Sequence, residues 1–535
     1  MPFAPPATTP QKGSRMTVNW PDFSLGCGYF DHVEGGYAIG VSVDTRFGYA
    51  VGSYQTTEGG SNGATSFTYR AHCKHNNVYF VATSDGTDTK VFSYNNNALS
   101  LKLTVTAAVA TDLFSFSDQS ANSTLILFLG ATVAFRYSTD NGANWTTSNL
   151  AGNNKYGNYG MVQSSGLLNA RCVYVRTPGE LYYAAAMVNG STTNTATFIG
   201  TQSATDQYPT SVIEDDEGTI LIGMRRDLWS VGADGIAVNV TKQNFHDPPA
   251  DTSSGAGRRN FEQPNVLAGR VYYMVNGRDL LEYHHGAIRI DVAPKDISGA
   301  GRIGVLNRPI TALGVAGNWL LLTLGGLSSA QTTTYSPGGA QLLQNLLANQ
   351  GNEEAALYAG RYEALPDGTT RFVWHGALVT ASVAMRGLFY DEDNRVITWW
   401  TIAGLPTNDI THLIMGFELT SHIASSASFL FGAWALESGR IGKTSQRWRP
   451  IRVRGKVPAL SSTAFFAVHH RGAPSSNTTK AYVRQAQFTK AAQVLTGVAF
   501  PNNRDSEEHW IQFRASPAAT VDVVLYSASM ELAEV

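Results

Sequence analysis

Val78-Tyr79-Phe80-Val81, Leu125-Ile126-Leu127-Phe128, Leu181-Tyr182-Tyr183-Ala184, Ile220-Leu221-Ile222-Gly223, Val271-Tyr272-Tyr273-Met274, Trp319-Leu320-Leu321-Leu322 and Val396-Ile397-Thr398-Trp399 decide the fold. Each is a short apolar or aromatic run between polar, turn-forming clusters, as a strand packed on both faces requires. Their second residues stand 47, 56, 39, 51, 48 and 77 positions apart. Five of these steps lie near the roughly 40–50 residues of a four-stranded propeller blade. The spacing predicts an all-β chain with a β-propeller of about seven blades, the competing arrangement being an array of two-sheet sandwiches.

Partner strands fit the same unit. Lys90-Val91-Phe92-Ser93-Tyr94 runs into Asn95-Asn96-Asn97, a tight-turn sequence. Asp227–Val231 and Asp279–Tyr283 follow the fourth and fifth marked strands in the same way. The early run Tyr37-Ala38-Ile39-Gly40-Val41 is predicted to close the ring by joining the last blade, which would remove an open sheet edge. The long step holds a predicted helical insertion near 325–360, with Leu342, Leu343, Leu346 and Leu347 on one face as a candidate docking helix.

Beyond residue 415 the pattern changes. Trp448–Gly455, Ala464–His470, Tyr482–Gln485, Trp510–Arg514 and Val521–Tyr526 read as strands with polar turns between them, the signature of a β-sandwich. The predicted organisation is an N-terminal arm over 1–30, a propeller over 31–415 and a C-terminal β-sandwich over 416–535.

Composition agrees. Charged residues make up 15% of the chain, hydrophobic residues 43%, and there are 52 glycines among 535 residues, a balance suited to short strands and tight turns rather than long helices. A net charge of −2 gives no general attraction to nucleic acid or anionic membranes. Arg447, Arg449, Arg452 and Arg454 form a local basic patch, interleaved with Trp448, Ile451 and Val453 like the solvent face of a strand. Met1–Pro6 lacks the apolar run of a secretory signal, and no uninterrupted apolar stretch of about 18 residues exists. The expectation is no membrane insertion and maturation in a reducing cytoplasm. Cys27, Cys73 and Cys172 are too dispersed for a disulfide framework or a metal-ligand pattern.

Few motifs carry chemistry. Glu214-Asp215-Asp216-Glu217-Gly218 offers oxygen ligands for calcium, but it lacks the spacing of a calcium loop and reads equally as a solvated turn. His284-His285 and His469-His470 are adjacent pairs whose side chains leave a strand on opposite faces, a poor chelate for zinc. No phosphate loop, dinucleotide fingerprint or nucleophile elbow is present. No cofactor is expected. The aromatic share of 11% suits stacking between blades and leaves room for sugar-stacking loops.

Ser138-Thr139-Asp140-Asn141-Gly142-Ala143-Asn144-Trp145 resembles the Asp-box, Ser-x-Asp-x-Gly-x-x-Trp, of sialidases and other propeller proteins. In that family it is a structural hairpin away from the active site, so Ser138, Asp140, Gly142 and Trp145 are expected to build a turn. A sialidase-like hydrolase would also need an arginine cluster, a Tyr–Glu nucleophile pair and an Asp acid, and spacing alone nominates no such set. The chain as a whole resembles virion proteins of tailed bacteriophages that join a propeller to a C-terminal β-sandwich. Three passages carry this: Arg371–Gly376 with Gly387–Tyr390, Gln446–Gly455, and Val498–Pro501 through Trp510–Arg514. The resemblance implies a structural or attachment component of a virion (tail, fibre or capsid decoration), assembled in the host cytoplasm in many copies. Its implied partners are other virion proteins, with a cell-surface glycan as a further candidate. The alternatives are a lectin-like propeller and a sialidase-like glycoside hydrolase.

Overall fold

The computed structural model describes residues 14–535 apart from segments between strands, the longest being 185–192, 199–208, 246–259, 295–309, 326–354, 402–410, 421–432 and 474–482. From 154 to 198 it describes the backbone alone. All regular structure among the described residues is β-strand. The predicted helix with Leu342, Leu343, Leu346 and Leu347 lies outside the described residues.

Seven four-stranded antiparallel sheets follow one another along the chain. Blades 1 to 6 span Thr68–Val105, Asp112–Thr147, Asn154–Phe198, Pro209–Asn239, Asn265–Arg289 and Ile310–Ala381. Blade 7 takes three strands from Met385–Gly416 and its fourth from Thr57–Ser61. The ring is therefore closed by an N-terminal strand, which forms the outermost strand of the last blade. The closing strand is not the predicted one. Ile39–Val41 pairs instead with Trp434–Glu437 in the sandwich. Thr57-Glu58-Gly59-Gly60-Ser61, at the outer end of its sheet, has no apolar run to advertise it.

Apolar side chains fill the spaces between neighbouring blades. Blades 7 and 1 share a cluster of Tyr69, Tyr79, Phe92, Tyr94, Phe389 and Trp400. Within it, the Tyr79 and Phe389 rings stack with centroids 4.4 Å apart. Further clusters join blades 1 and 2, 4 and 5, 5 and 6, and 6 and 7. Six of the seven marked runs are the buried second strands of their blades, such as Trp319–Leu324, whose six residues are all buried. Each large side chain so buried contributes roughly 1.5–3 kcal/mol.

The sandwich has a four-stranded and a five-stranded sheet facing each other over a core that includes Trp20, Trp434, Leu436, Phe513, Met530 and Leu532. Both chain ends build it. Arg15–Trp20, within the segment predicted as an N-terminal arm, pairs antiparallel with Ser527–Glu534 as an edge strand of the sandwich. The alternating apolar positions Met16, Val18 and Trp20 explain the pairing, since they complete the sandwich core. Val521–Tyr526 is likewise corrected: the regular strand begins at Ser527, and Leu525 makes an isolated bridge to Ala50.

Candidate functional site

The segment from Phe23 to Tyr54 runs between sandwich and propeller and carries the polar groups that join them. The backbone N–H of Cys27 donates to Trp374 O of blade 6 at 2.8 Å. Gly26 beside it has φ +69°, and a Cβ there would lie 2.1 Å from the same carbonyl oxygen, so only glycine permits this approach. Tyr37, fully buried, accepts from Gly376 N at 3.2 Å through its hydroxyl, which also lies 2.9 Å from Thr45 Oγ1. Thr45 Oγ1 is 2.8 Å from His375 Nδ1. Ser53 Oγ donates to Leu378 O.

A buried arginine, held by a carboxylate two residues before it, completes the junction. Arg46 grips Asp44 with Nε and a terminal nitrogen at 3.1 and 2.8 Å, and donates to Glu418 O at 2.8 Å. Its guanidinium lies 3.7 Å from the centroid of the Phe417 ring. Both charged side chains are almost fully buried, 2% and 3% exposed, so each depends on the other. Burial holds His375 neutral, its pKa lowered to about 3.

The axis of the propeller holds a cavity of about 490 Å³. Its walls include Arg70 and Arg386, Asp112 and Glu262, and Tyr69 with His72. The Tyr69 hydroxyl lies 2.7 Å from His72 Nδ1, and burial lowers the His72 pKa to about 4. Both charge signs share this space. Among the described residues, the carboxyl raised by burial is Asp215, which is not on the axis. Its Oδ1 instead accepts from Glu217 N and Thr219 N at 3.0 and 2.8 Å. The acidic run is thus a capped turn, in which Glu217 also meets His285 Nδ1 at 2.6 Å. Among the described residues no group of three or more His, Cys, Asp or Glu is placed to hold a metal ion.

Ser138–Trp145 forms a tight turn between the third and fourth strands of blade 2. Ser138 Oγ donates to Asp140 Oδ1 at 2.7 Å and accepts from Gly142 N at 2.9 Å. Asp140 in turn accepts from Asn144 N and Nδ2 at 2.8 and 2.6 Å, and these bonds lower its pKa to about 2. Trp145 Nε1 donates to Gly142 O at 3.1 Å while its ring packs on the core between blades 1 and 2. Ser138, Asp140 and Trp145 spend their side-chain polar groups inside the turn, while Asn141 Oδ1 accepts from Asn76 Nδ2 of blade 1 at 2.7 Å.

One constellation escaped the sequence. Glu282 of blade 5, 2% exposed, accepts from the Tyr362 hydroxyl of blade 6 at 2.7 Å and from Arg270 at 3.1 Å. Arg289 donates to the same hydroxyl at 3.1 Å. This is a Tyr–Glu pair among arginines, the combination a sialidase-like nucleophile needs. Burial and the neighbouring carboxylate push the Tyr362 pKa up to about 12, which disfavours the phenolate. The residues are 80 positions apart, and only the apposition of two blades reveals them.

No family model matches the chain, and no curated protein matches it. Solved structures do share its β-propeller architecture. YCF48 from Cyanidioschyzon merolae is 10% identical over 68% of this chain and 98% of its own, with a TM-score of 0.40. The Cps50 (Swd1) β-propeller domain of Myceliophteria thermophila is 8% identical over 65% and 98%, with a TM-score of 0.36. The Niastella koreensis GH74 enzyme is 12% identical over 62% of each chain, with a TM-score of 0.30. The likeness is one of fold alone.

Proposed function

We propose that this protein is a structural or attachment component of a tailed-phage virion, working through surfaces held at a fixed mutual angle. The observation that carries the reading is the junction of Tyr37, Thr45, Arg46 and Asp44 with Trp374, His375, Gly376 and Glu418. Domains in one chain move relative to each other unless their interface is extensive. Here the buried Arg46 guanidinium donating to Glu418 O, the backbone hydrogen bond from Cys27 N to Trp374 O and the Tyr37–Thr45–His375 side-chain chain bind the two domains, and the segment from Arg15 to Ser61 contributes strands to both. Such a body transmits position and load from a docked domain to a displayed one. Turnover is not required of it, and the raised pKa of Tyr362 argues against that phenol as a nucleophile. Quantitative mass spectrometry of density-banded virus particles tests the proposal. Recovery at a fixed whole-number ratio to the major capsid protein is the expected result. Absence from particles, with the protein free in the lysate, would overturn it.

A further inference from the structure

The outer face of the four-stranded sandwich sheet carries a concentration of positive charge that contrasts with the chain's net charge of −2. Arg15 and Arg449 both lie opposite Ala533, Arg452 opposite Glu531, Arg454 opposite Ser529, and Lys456 opposite Ser527. A register shift between Pro450 and Arg452 returns Arg452 to the face already occupied by Arg449. Without that bulge Arg449 would face the opposite side of the sheet from Arg452 and Arg454. Five cations thereby share one face. Arg15, Arg449, Arg454 and Lys456 are exposed, while Met530 and Leu532 behind them are fully buried.

Two further features mark this face as more than a solvated surface. Glu531 sits amid the cations, accepting from Arg452 at 2.7 Å and lying 3.3 Å from Arg454. Beyond Lys456 the face ends in aromatic rings: Tyr526, 42% exposed, lies 5.7 Å from Tyr49, which lies 6.2 Å from Phe47. The Lys456 ammonium is 5.6 Å from the Tyr526 ring centroid. Against Arg454 and Lys456 lies a groove of about 590 Å³ whose walls include Asn19, Glu34, Ser527 and Ser529.

We infer that this sheet face binds an acidic polysaccharide. Guanidinium and ammonium groups match carboxylates or sulfates spaced along a chain. Ser527, Ser529 and Asn19 offer hydrogen bonds to ring hydroxyls, and the Tyr526 ring offers an apolar face to a sugar ring. Glu531 and Glu34 favour a saccharide over DNA, because their carboxylates accept from free ring hydroxyls, which each sugar of a polysaccharide carries and a deoxyribose phosphodiester chain lacks. The inference extends the attachment reading to the chemistry of the attached surface.

The test uses the full chain and immobilised alginate, with dextran and a single-stranded oligonucleotide as comparison probes. Alginate is expected to bind, dextran not to, and the oligonucleotide to bind less tightly. The Arg454→Glu, Lys456→Glu double variant should lose about tenfold or more in affinity, and Tyr526→Ala about threefold, with unchanged thermal unfolding. Raising the salt from about 0.05 to about 0.5 M should weaken the parent's binding as screening shortens the reach of the cations. Equal binding to dextran, tighter binding to the oligonucleotide, or an unaffected double variant would each overturn the inference. Because the assay uses purified protein, absence from particles alongside alginate binding would sink only the virion reading. Particle incorporation without alginate binding would sink only this one.

Discussion

Thr45 Oγ1 and His375 Nδ1 lie 2.8 Å apart where the N-terminal segment crosses blade 6, and both side chains are fully buried. His375 is neutral there, with a pKa of about 3. At neutral pH the folded and unfolded states bind the same number of protons at this ring. Below about pH 6.5 the unfolded chain takes up a proton that the folded site refuses, so stability falls with pH by about 1.4 kcal/mol per unit until the folded pKa is reached. His470, with a pKa of about 3, and His72 and His32, each about 4, act in the same direction. Urea midpoints measured between pH 7 and 4 should drop steeply. His375→Gln should flatten that drop by one proton's share, and an unchanged slope would show that His375 is not the buried neutral group described.

Arg46 and Asp44 are buried together beneath Phe417, so removing one leaves the other's charge without its partner. Arg46→Ala is expected to destabilise the protein by about 3–5 kcal/mol. Lysine lacks the two-pronged geometry and should not restore the loss. Chemical denaturation of both variants checks this. A loss within about 0.5 kcal/mol for Arg46→Ala, the usual range for a plain surface substitution, would contradict the burial of the pair.

Gly142 has φ +76°, and a Cβ there would lie 2.8 Å from Phe80 Cε1 in blade 1. Gly142→Ala combines backbone strain with a collision in the core between blades 1 and 2, at a cost of about 1–3 kcal/mol. The neighbouring Ala143→Gly change, at an exposed position, should cost much less. Thermal unfolding of the two variants side by side separates conformational strain from general loosening of the turn.

Tyr362 and Glu282 couple blade 6 to blade 5. Tyr362→Phe removes a donor from a buried carboxylate, for an expected loss of about 1–3 kcal/mol. Glycosidase activity towards fluorogenic sialosides, assayed in parallel, distinguishes the two roles this pair can have. The structural role predicts lowered stability and no turnover in the parent. Turnover in the parent that disappears in Tyr362→Phe would instead make the phenol a catalytic residue.

Much of the fold is legible in the sequence because a blade's second strand is buried on both sides and reads as a bare apolar run. Six of the seven marked runs are such strands. Leu181–Ala184 is the exception, being the third strand of blade 3, whose second strand is Leu167–Arg176. Counting through Tyr174 instead of Tyr182 turns the uneven steps of 56 and 39 into 48 and 47. Arg171 and Arg176 had masked that strand. The outer strand Thr57–Ser61 has no apolar run and so gives little signal. The sites are less legible: His375 with Thr45, and Glu282 with Tyr362, depend on side chains that meet only when distant segments pack. The basic sheet face falls between, since its arginines are visible in sequence while the bulge that aligns them is not.

Hydrogen exchange at the domain junction tests the central claim, that propeller and sandwich form one rigid body. The amides of Cys27 and Gly376 donate to Trp374 O and the Tyr37 hydroxyl across the boundary. If the domains are locked, these amides exchange as slowly as those of the buried blade strand Trp319–Leu324. Full exchange of the junction amides while the blade stays protected would mean that the domains swing apart, contradicting the account.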